Sequence, residues 1–486
     1  MRFSPAVCCV ILILAAAMSS AAAGPVAPAA PAPSAAAPAF PDTAVGRAAR
    51  EYFAAFNSGD ETRMRRFFEA WFSPEALAER PAEPRLDVYR RMKGVNRTFR
   101  VERIVEASPD RIVLLVENAA HEWRRFDFVG DAKASGKIAG IGVEDADPPA
   151  GAEPPVRRET TDADAARAAD AWLSEASARG DFSGVVLLAR GGRPFFRKAW
   201  GLADRDRKIP NRADTKFNLG SINKIFTQVA IGQLAAAGKL SLSDTIRRHL
   251  PRYPAPYADR VTIGQLVSMS SGMGDIFGPK FAALPKSRLR SLADYLPLFQ
   301  DDPLRFEPGS RKEYSNAGYV VLGLIVEAAS GEDYYRYVRE HVFAPAGMKD
   351  TDSWAIDDDV PNRAIGYTRE AGGLRPNADS HPARGSSAGG GYSTVDDLLK
   401  FDAALRGGRL LPPEWTAWIF SRADAPSPGA PLPTHGALAI AGGSPGVNAA
   451  LDMELDGGAT VVVLANLDPP VAERTLKRIR GMLPKP

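Results

Sequence analysis

The chain has 486 residues, 45% of them hydrophobic and 24% charged, and its 61 Lys+Arg against 58 Asp+Glu leave a net charge of +3. That is an ordinary globular mixture, long enough for about three domains or for two with one large, and neither disordered, collagenous nor coiled-coil. So small a charge without a long basic block argues against a dedicated nucleic-acid binder. Two cysteines, Cys8 and Cys9, and five scattered histidines give no zinc-ligand spacing and no disulfide scaffold.

The N-terminus predicts export. Arg2 precedes an uninterrupted apolar run, Cys8–Met18, and small residues follow at Ser19–Ala23. This basic, apolar, small order is the secretory pattern, and the run is too short for ~30 Å of hydrocarbon at about 1.5 Å per residue. Cleavage after Ala23 would remove both cysteines, leaving a periplasmic or secreted protein with no cysteine nucleophile. No later stretch has the length of apolar sequence that an integral membrane span needs. The Ala/Pro-rich residues 24–41 read as an extended spacer.

Residues 42–147 read as a small α+β domain. Val45, Ala49, Tyr52, Phe53 and Phe56 recur at helical spacing, Asn57–Gly59 break the helix, and Asp60 can cap the next one, whose apolar face is Met64, Phe67, Phe68 and Trp71. Strand-like runs follow at Phe99–Val105, Ile112–Val116, Trp123–Val129 and Ile138–Val143. The aromatics either form a core or line a pocket. Helices before a curved antiparallel sheet, with the phrase Tyr52–Asp60, resemble the ketosteroid-isomerase-like cone fold.

A Pro-rich linker, residues 148–158, precedes a large domain over 159–486. An amphipathic helix is expected over Thr161–Ala178, stopped by Gly180. Val185–Ala189 and Pro194–Trp200 flank Arg190–Arg193 as a hairpin, and Ala449–Leu455 and Thr460–Leu464 flank Asp456–Gly458 as another. Val471–Met482 reads as a terminal helix. Strands at both chain ends with a helical middle imply an α/β (α+β) architecture, an antiparallel sheet flanked by helices with a helical subdomain beside it.

The chemistry centres on Ser221 and Lys224. They stand at the start of a strong helical pattern, one turn apart on one face. A serine hydroxyl needs a base within hydrogen-bond reach, and a desolvated lysine can be that base. The helix N-terminus offers N–H groups to an oxyanion. Further on, Tyr314 can relay a proton and Asn316 can hold a substrate carbonyl. Taken alone, a Ser-x-x-Lys is also what an N-cap serine and a surface lysine look like.

With Phe217–Lys224, Gly238–Asp244, Phe306–Asn316 and Gly389–Asp397 on view, the large domain resembles the serine β-lactamase-related hydrolases: class C β-lactamases, D-alanyl-D-alanine carboxypeptidases and their esterase relatives. The resemblance implies a β-lactamase/transpeptidase-like fold. It also implies an acyl-enzyme on Ser221, with Lys224 as base partner and Tyr314 as second proton carrier. Asn316, Gly442 and Gly443 would bind substrate, and the N–H groups of Ser221 and Gly443 would form the oxyanion hole. No cofactor or metal is implied, and the expected partner is a small ester, amide or peptide substrate.

The chain departs from the family at its third motif. Relatives have Lys or His, any residue, then Gly; here the basic position is Ile440, in Ile440–Gly443. That cation engages a substrate carboxylate, so β-lactam or D-Ala-D-Ala substrates are disfavoured unless another group, such as His435, replaces it. Relatives also often have His before Ser-Gly, where this chain has Met269-Ser270-Ser271-Gly272. Two alternatives stand: a catalytically weakened relative that binds peptidoglycan-like ligands, and an α/β-hydrolase using Ser387. The latter rests on Gly385–Gly389, which matches Gly-x-Ser-x-Gly, followed by Asp402 and His435 in triad order.

Overall fold

The computed structural model describes residues 38–485 except 119–122, 147–155, 371–372, 422–427, 430 and 433–434. The expected signal sequence and most of both linkers therefore lie outside the described residues.

The N-terminal part begins with helix Ala44–Ser58, ended by Gly59 at φ 74°. Asp60 caps the following helix, Glu61–Trp71, accepting from the Thr62 and Arg63 amides. Two further helices, Pro74–Glu79 and Ala82–Asn96, were not legible as such. The second has only a thin apolar stripe, Leu86, Tyr89 and Met92, and its Pro84 is tolerated because first-turn amides have no helical partner.

Four strands follow, Phe99–Ala107, Arg111–Asn118, Trp123–Gly130 and Ile138–Ala146, each antiparallel to the next in chain order. Register shifts after Val101 and Ile104 are bulges that bend the first strand. The sheet curls over the helices, and its concave side is filled with rings: Phe126 lies 5.7 Å from Tyr52, 5.1 Å from Phe53 and 5.0 Å from Phe99 between centroids. These aromatics pack on one another, which makes them core.

The large sheet runs Ala437–Ser444, Val447–Glu454, Ala459–Ala465, Gly184–Arg190, Arg193–Trp200, all antiparallel. Both predicted hairpins are present. In the first, Gly191 and Gly192 take φ 55° and 74°, the two positive values that a tight turn between right-twisted strands requires. The central strands are buried on both faces. Val185 and Leu187 join the core under helix Asn223–Ala236, while Val186 and Leu188 join the core under helices Asp162–Ala178 and Val471–Met482. Period-two alternation thus feeds two cores. The helical middle, led by the buried helix Asn316–Ser330, packs on helix Asn223–Ala236, so residues 92 positions apart in sequence meet at one place.

Phe126 is fully buried among four rings. Phe126→Ala should destabilise the N-terminal part by about 3–5 kcal/mol, the cost of a large buried cavity, measured by urea unfolding of the full chain.

Candidate active site

Ser221 sits in a single 3-10 turn, Gly220–Ile222, that runs into helix Asn223–Ala236. That helix is apolar nearly all round and buried on both sides, so Lys224, in its first turn, is carried into the interior and is only 7% exposed. The site is closed by backbone. Gly220 has φ 49°, and a Cβ there would stand 2.7 Å from the Gly443 nitrogen; a Cβ on Gly442 would stand 2.6 Å from the Ser221 nitrogen. Only glycine lets the edge strand Ala437–Ser444 approach the turn this closely.

Strand Ala437–Ser444 returns through Pro445-Gly446, with Ser444 opposite Val447 and Gly443 opposite Asn448. In a two-residue hairpin the closing pair is hydrogen-bonded, so the next position, Gly443, turns its N–H outward from the sheet edge. The N–H groups of Ser221 and Gly443 therefore belong to neighbouring stretches of backbone at one end of a cleft.

Four side chains converge there. Ser221 Oγ is 2.5 Å from the Tyr314 hydroxyl and 3.2 Å from Lys224 Nζ. Lys224 Nζ also donates to Asn316 Oδ1 at 2.7 Å and to the Ala388 carbonyl at 2.5 Å, and lies 4.7 Å from the centre of the Tyr314 ring. Burial pushes the Lys224 amine down to about 7, against the pull of Asp275 in the other direction. Burial raises the Tyr314 phenol, opposed by its bond to Ser221 and reinforced by Asp275. Although 48% of Tyr314 is exposed, its hydroxyl end is at Ser221, and the direction of its shift keeps it a phenol at neutral pH. An ionised phenolate is therefore not the favoured form of Tyr314.

Tyr314 is held by its neighbours. Ser315 caps helix Asn316–Ser330 by accepting from Gly318 and donates to the Gly274 carbonyl. The Glu313 amide donates to the Met269 carbonyl, so the stretch Met269–Gly272 supports the tyrosine loop. Asn316 is fully engaged: its oxygen accepts from Lys224 and its amide donates to both Asp275 oxygens at 3.0 Å. A substrate carbonyl would have to compete for it. Asp275 was missed in the sequence; nothing in its spacing marks it, since it reaches Lys224 only through Asn316.

The cleft, about 680 Å³, is lined by apolar and aromatic groups including Ile276, Phe277, Phe281 and Trp354, with Ser221, Tyr314, Asn316 and Gly443 at one end. Among the described residues it has no Lys, Arg, Asp or Glu in its lining. His381 is in the wall, 3.0 Å from Ser444 Oγ, and burial pushes it down to about 4, so it is neutral. Ile440 packs on the core and brings no charge. His435 is highly exposed and faces Asp456 at 3.8 Å, outside the cleft, and cannot replace the missing cation.

The elbow reading of Ser387 is overturned. Ser387 is fully buried, and its hydroxyl donates to the Tyr319 carbonyl. Asp402 pairs with Arg406 and Thr460, and His435 faces Asp456, so the three residues never meet. Gly385–Gly389 instead form a loop whose Ala388 carbonyl holds Lys224.

The Beta-lactamase family model matches residues 169–483, and the chain belongs to that family of serine hydrolases. It resembles Protein flp of Staphylococcus aureus strain MW2, 32% identical over 185 residues, 37% of each chain, and so spans about a third of that relative's length. The structure of a penicillin binding protein from Bacillus halodurans superposes with a TM-score of 0.57 at 32% identity, covering 63% of this chain and 98% of that one. EstCE1, a hydrolase with promiscuous acyltransferase activity, gives 0.55 at 25% identity, covering 66% and 98%.

Because Asp275 holds the Lys224 amine up against burial, Asp275→Asn should lower the pKa of Lys224 below about 7. The pH dependence of Ser221 labelling by a fluorophosphonate should shift to lower pH; an unmoved profile would refute the coupling.

Proposed function

We propose that the chain cleaves a small neutral ester or amide through an acyl-enzyme on Ser221. The observation that carries this reading is the environment of Lys224 Nζ. With a pKa near 7, the amine is largely neutral in mildly alkaline solution. A neutral amine has two N–H bonds, and Asn316 Oδ1 and the Ala388 carbonyl take both. Its lone pair is then left for the Ser221 hydroxyl at 3.2 Å. Lys224 would take the proton as Oγ attacks the carbonyl carbon, and the oxyanion would receive the N–H groups of Ser221 and Gly443. Tyr314, 2.5 Å from Oγ, would protonate the leaving alkoxide or amine. Water would then attack the acyl carbon, and the same groups in reverse would return the proton to Ser221 Oγ.

The preference for neutral substrates follows from the cleft wall. A charge-assisted bond to a carboxylate is worth about 1.5–3 kcal/mol, and its absence lowers affinity by roughly ten- to a hundredfold. Carboxylate-bearing β-lactams and peptides lose that bond here; neutral esters never use it. We also propose that the first 23 residues direct export, supported by their basic, apolar, small order. The helices packed inside a bent four-stranded meander support a ketosteroid-isomerase-like cone over residues 42–147.

A fluorophosphonate should label Ser221 and nothing else in the cleft, and Ser221→Ala should abolish the label and the burst of acylation. Lys224→Ala should lower kcat by at least ~10²-fold, the scale of lost general-base catalysis; full turnover in either variant would reject the assignment. Only the neutral amine can accept the serine proton, so kcat/KM should rise with pH and level off above about 7. Wild type should turn over a short-chain aryl ester faster than a cephalosporin; the opposite order would mean that some other group supplies the missing charge.

A further inference from the structure

We propose that the N-terminal part braces the oxyanion side of the site, acting through Arg369 and Asp468 on the turn that ends the edge strand. The proposal rests on the role assigned above to Gly443.

The contact begins at helix Ala82–Asn96, which packs on strand Tyr367–Glu370. Gly94 is buried there, and a Cβ on it would stand 1.8 Å from the Arg369 carbonyl oxygen. Helix and strand thus touch backbone to backbone. Arg97, just past the helix, takes φ 57°, a region that a residue with a Cβ seldom enters. Its guanidinium lies 3.0 Å from Asp181 Oδ1 and donates to the Gly180 carbonyl at 3.3 Å. The same carbonyl accepts from the Arg369 guanidinium at 2.7 Å.

From Arg369 the connection runs inward. Its backbone N–H donates to one oxygen of Asp468 at 2.7 Å, and the other oxygen accepts from the Gly446 N–H at 2.7 Å. Gly446 and Pro445 are the whole turn after Ser444, and the Pro445 carbonyl is held in addition by Asn377 at 2.8 Å. One carboxylate therefore ties the strand that the N-terminal part touches to the turn that sets the position of Gly443. Both bonds are charge-assisted and both donors are backbone, so movement of one strand passes to the other without rotamer slack. Asp468 is a positioning residue in this scheme.

The test uses the full-length protein. Gly94→Ala cannot be relieved by side-chain rotation, because the obstructing atom is a backbone oxygen. Asp468→Asn keeps one acceptor and turns an amide N–H toward the other donor. Each should lower kcat on a neutral aryl ester about tenfold or more, while KM stays within about twofold, because an oxyanion donor acts in the transition state and small misplacements are costly there. The double variant should be no slower than the slower single one, the non-additivity of two changes on one connection. Lys133→Ala, in the exposed turn between the last two strands of the N-terminal sheet, should leave kcat unchanged. Hydrogen exchange gives a readout free of turnover: the amides of Gly443, Ser444 and Gly446 should exchange faster in Gly94→Ala than in wild type. If Gly94→Ala unfolds, Arg97→Ala, which removes only the ties to Asp181 and Gly180, should show the same exchange change to a smaller degree. Unchanged exchange at Gly443, Ser444 and Gly446, or strictly multiplicative kcat losses, would overturn the brace. Loss of the brace slows Ser221 labelling without abolishing it, whereas failure of the hydrolase reading appears as an unlabelled wild type with the exchange change still present.

Discussion

The arrangement of the site depends on a contact between two pieces of backbone that carry almost no side chain. The turn Gly220-Ser221 and the edge strand at Gly442-Gly443 come so close that a Cβ on Gly220 or on Gly442 would meet backbone within 2.7 Å. That approach brings together, beside Ser221 Oγ, the backbone of two residues 222 positions apart. Everything else in the site is arranged around this seam. Helix Asn223–Ala236 aims Lys224 from below, and the loop before helix Asn316–Ser330 brings Tyr314 from the side.

The polar cluster at the seam is satisfied by a chain of hydrogen bonds and not by a direct ion pair. Lys224, Asn316 and Asp275 form a chain of hydrogen bonds in which each group has its partners. The amide of Asn316 separates the amine from the carboxylate. A carboxylate in direct contact would hold the lysine protonated; relayed through an amide, Asp275 pulls its pKa up only part of the way against burial. The resulting amine has the proton affinity that a general base needs near neutral pH.

Much of this was legible in the sequence. The four N-terminal strands, both sheet hairpins and the first and last helices of the large part follow from period-two or helical spacing and from glycine placement, all of them local signals. Ser221, Lys224 and Tyr314 stood out because their residue types and intervals match a known family pattern, and the structure brings them together. Asp275 and the Ala388 carbonyl did not stand out: one acts through another side chain, and the other is a backbone atom on a loop that mimicked a different motif. The helix Ala82–Asn96 was missed because its apolar stripe is thin and its first turn holds a proline. The contact of Gly94 with Arg369 is 275 residues long in sequence and is carried by an absent side chain, which no local pattern can register.

The buried lysine also has a thermodynamic consequence. In the unfolded chain its amine has the ordinary affinity for protons, with a pKa near 10.5, and in the folded chain the pKa falls to about 7. Between those values the unfolded state binds a proton that the folded state does not, so this group alone makes folding more favourable as pH rises through that window. Below about 7 the folded protein must accommodate an ammonium in a desolvated site, and that penalty is then fully present. The two effects therefore fall in successive windows: this group's contribution to stability drains away as pH falls from about 10.5 to about 7, and the amine itself takes up its proton only below about 7, where no further stability is lost to it.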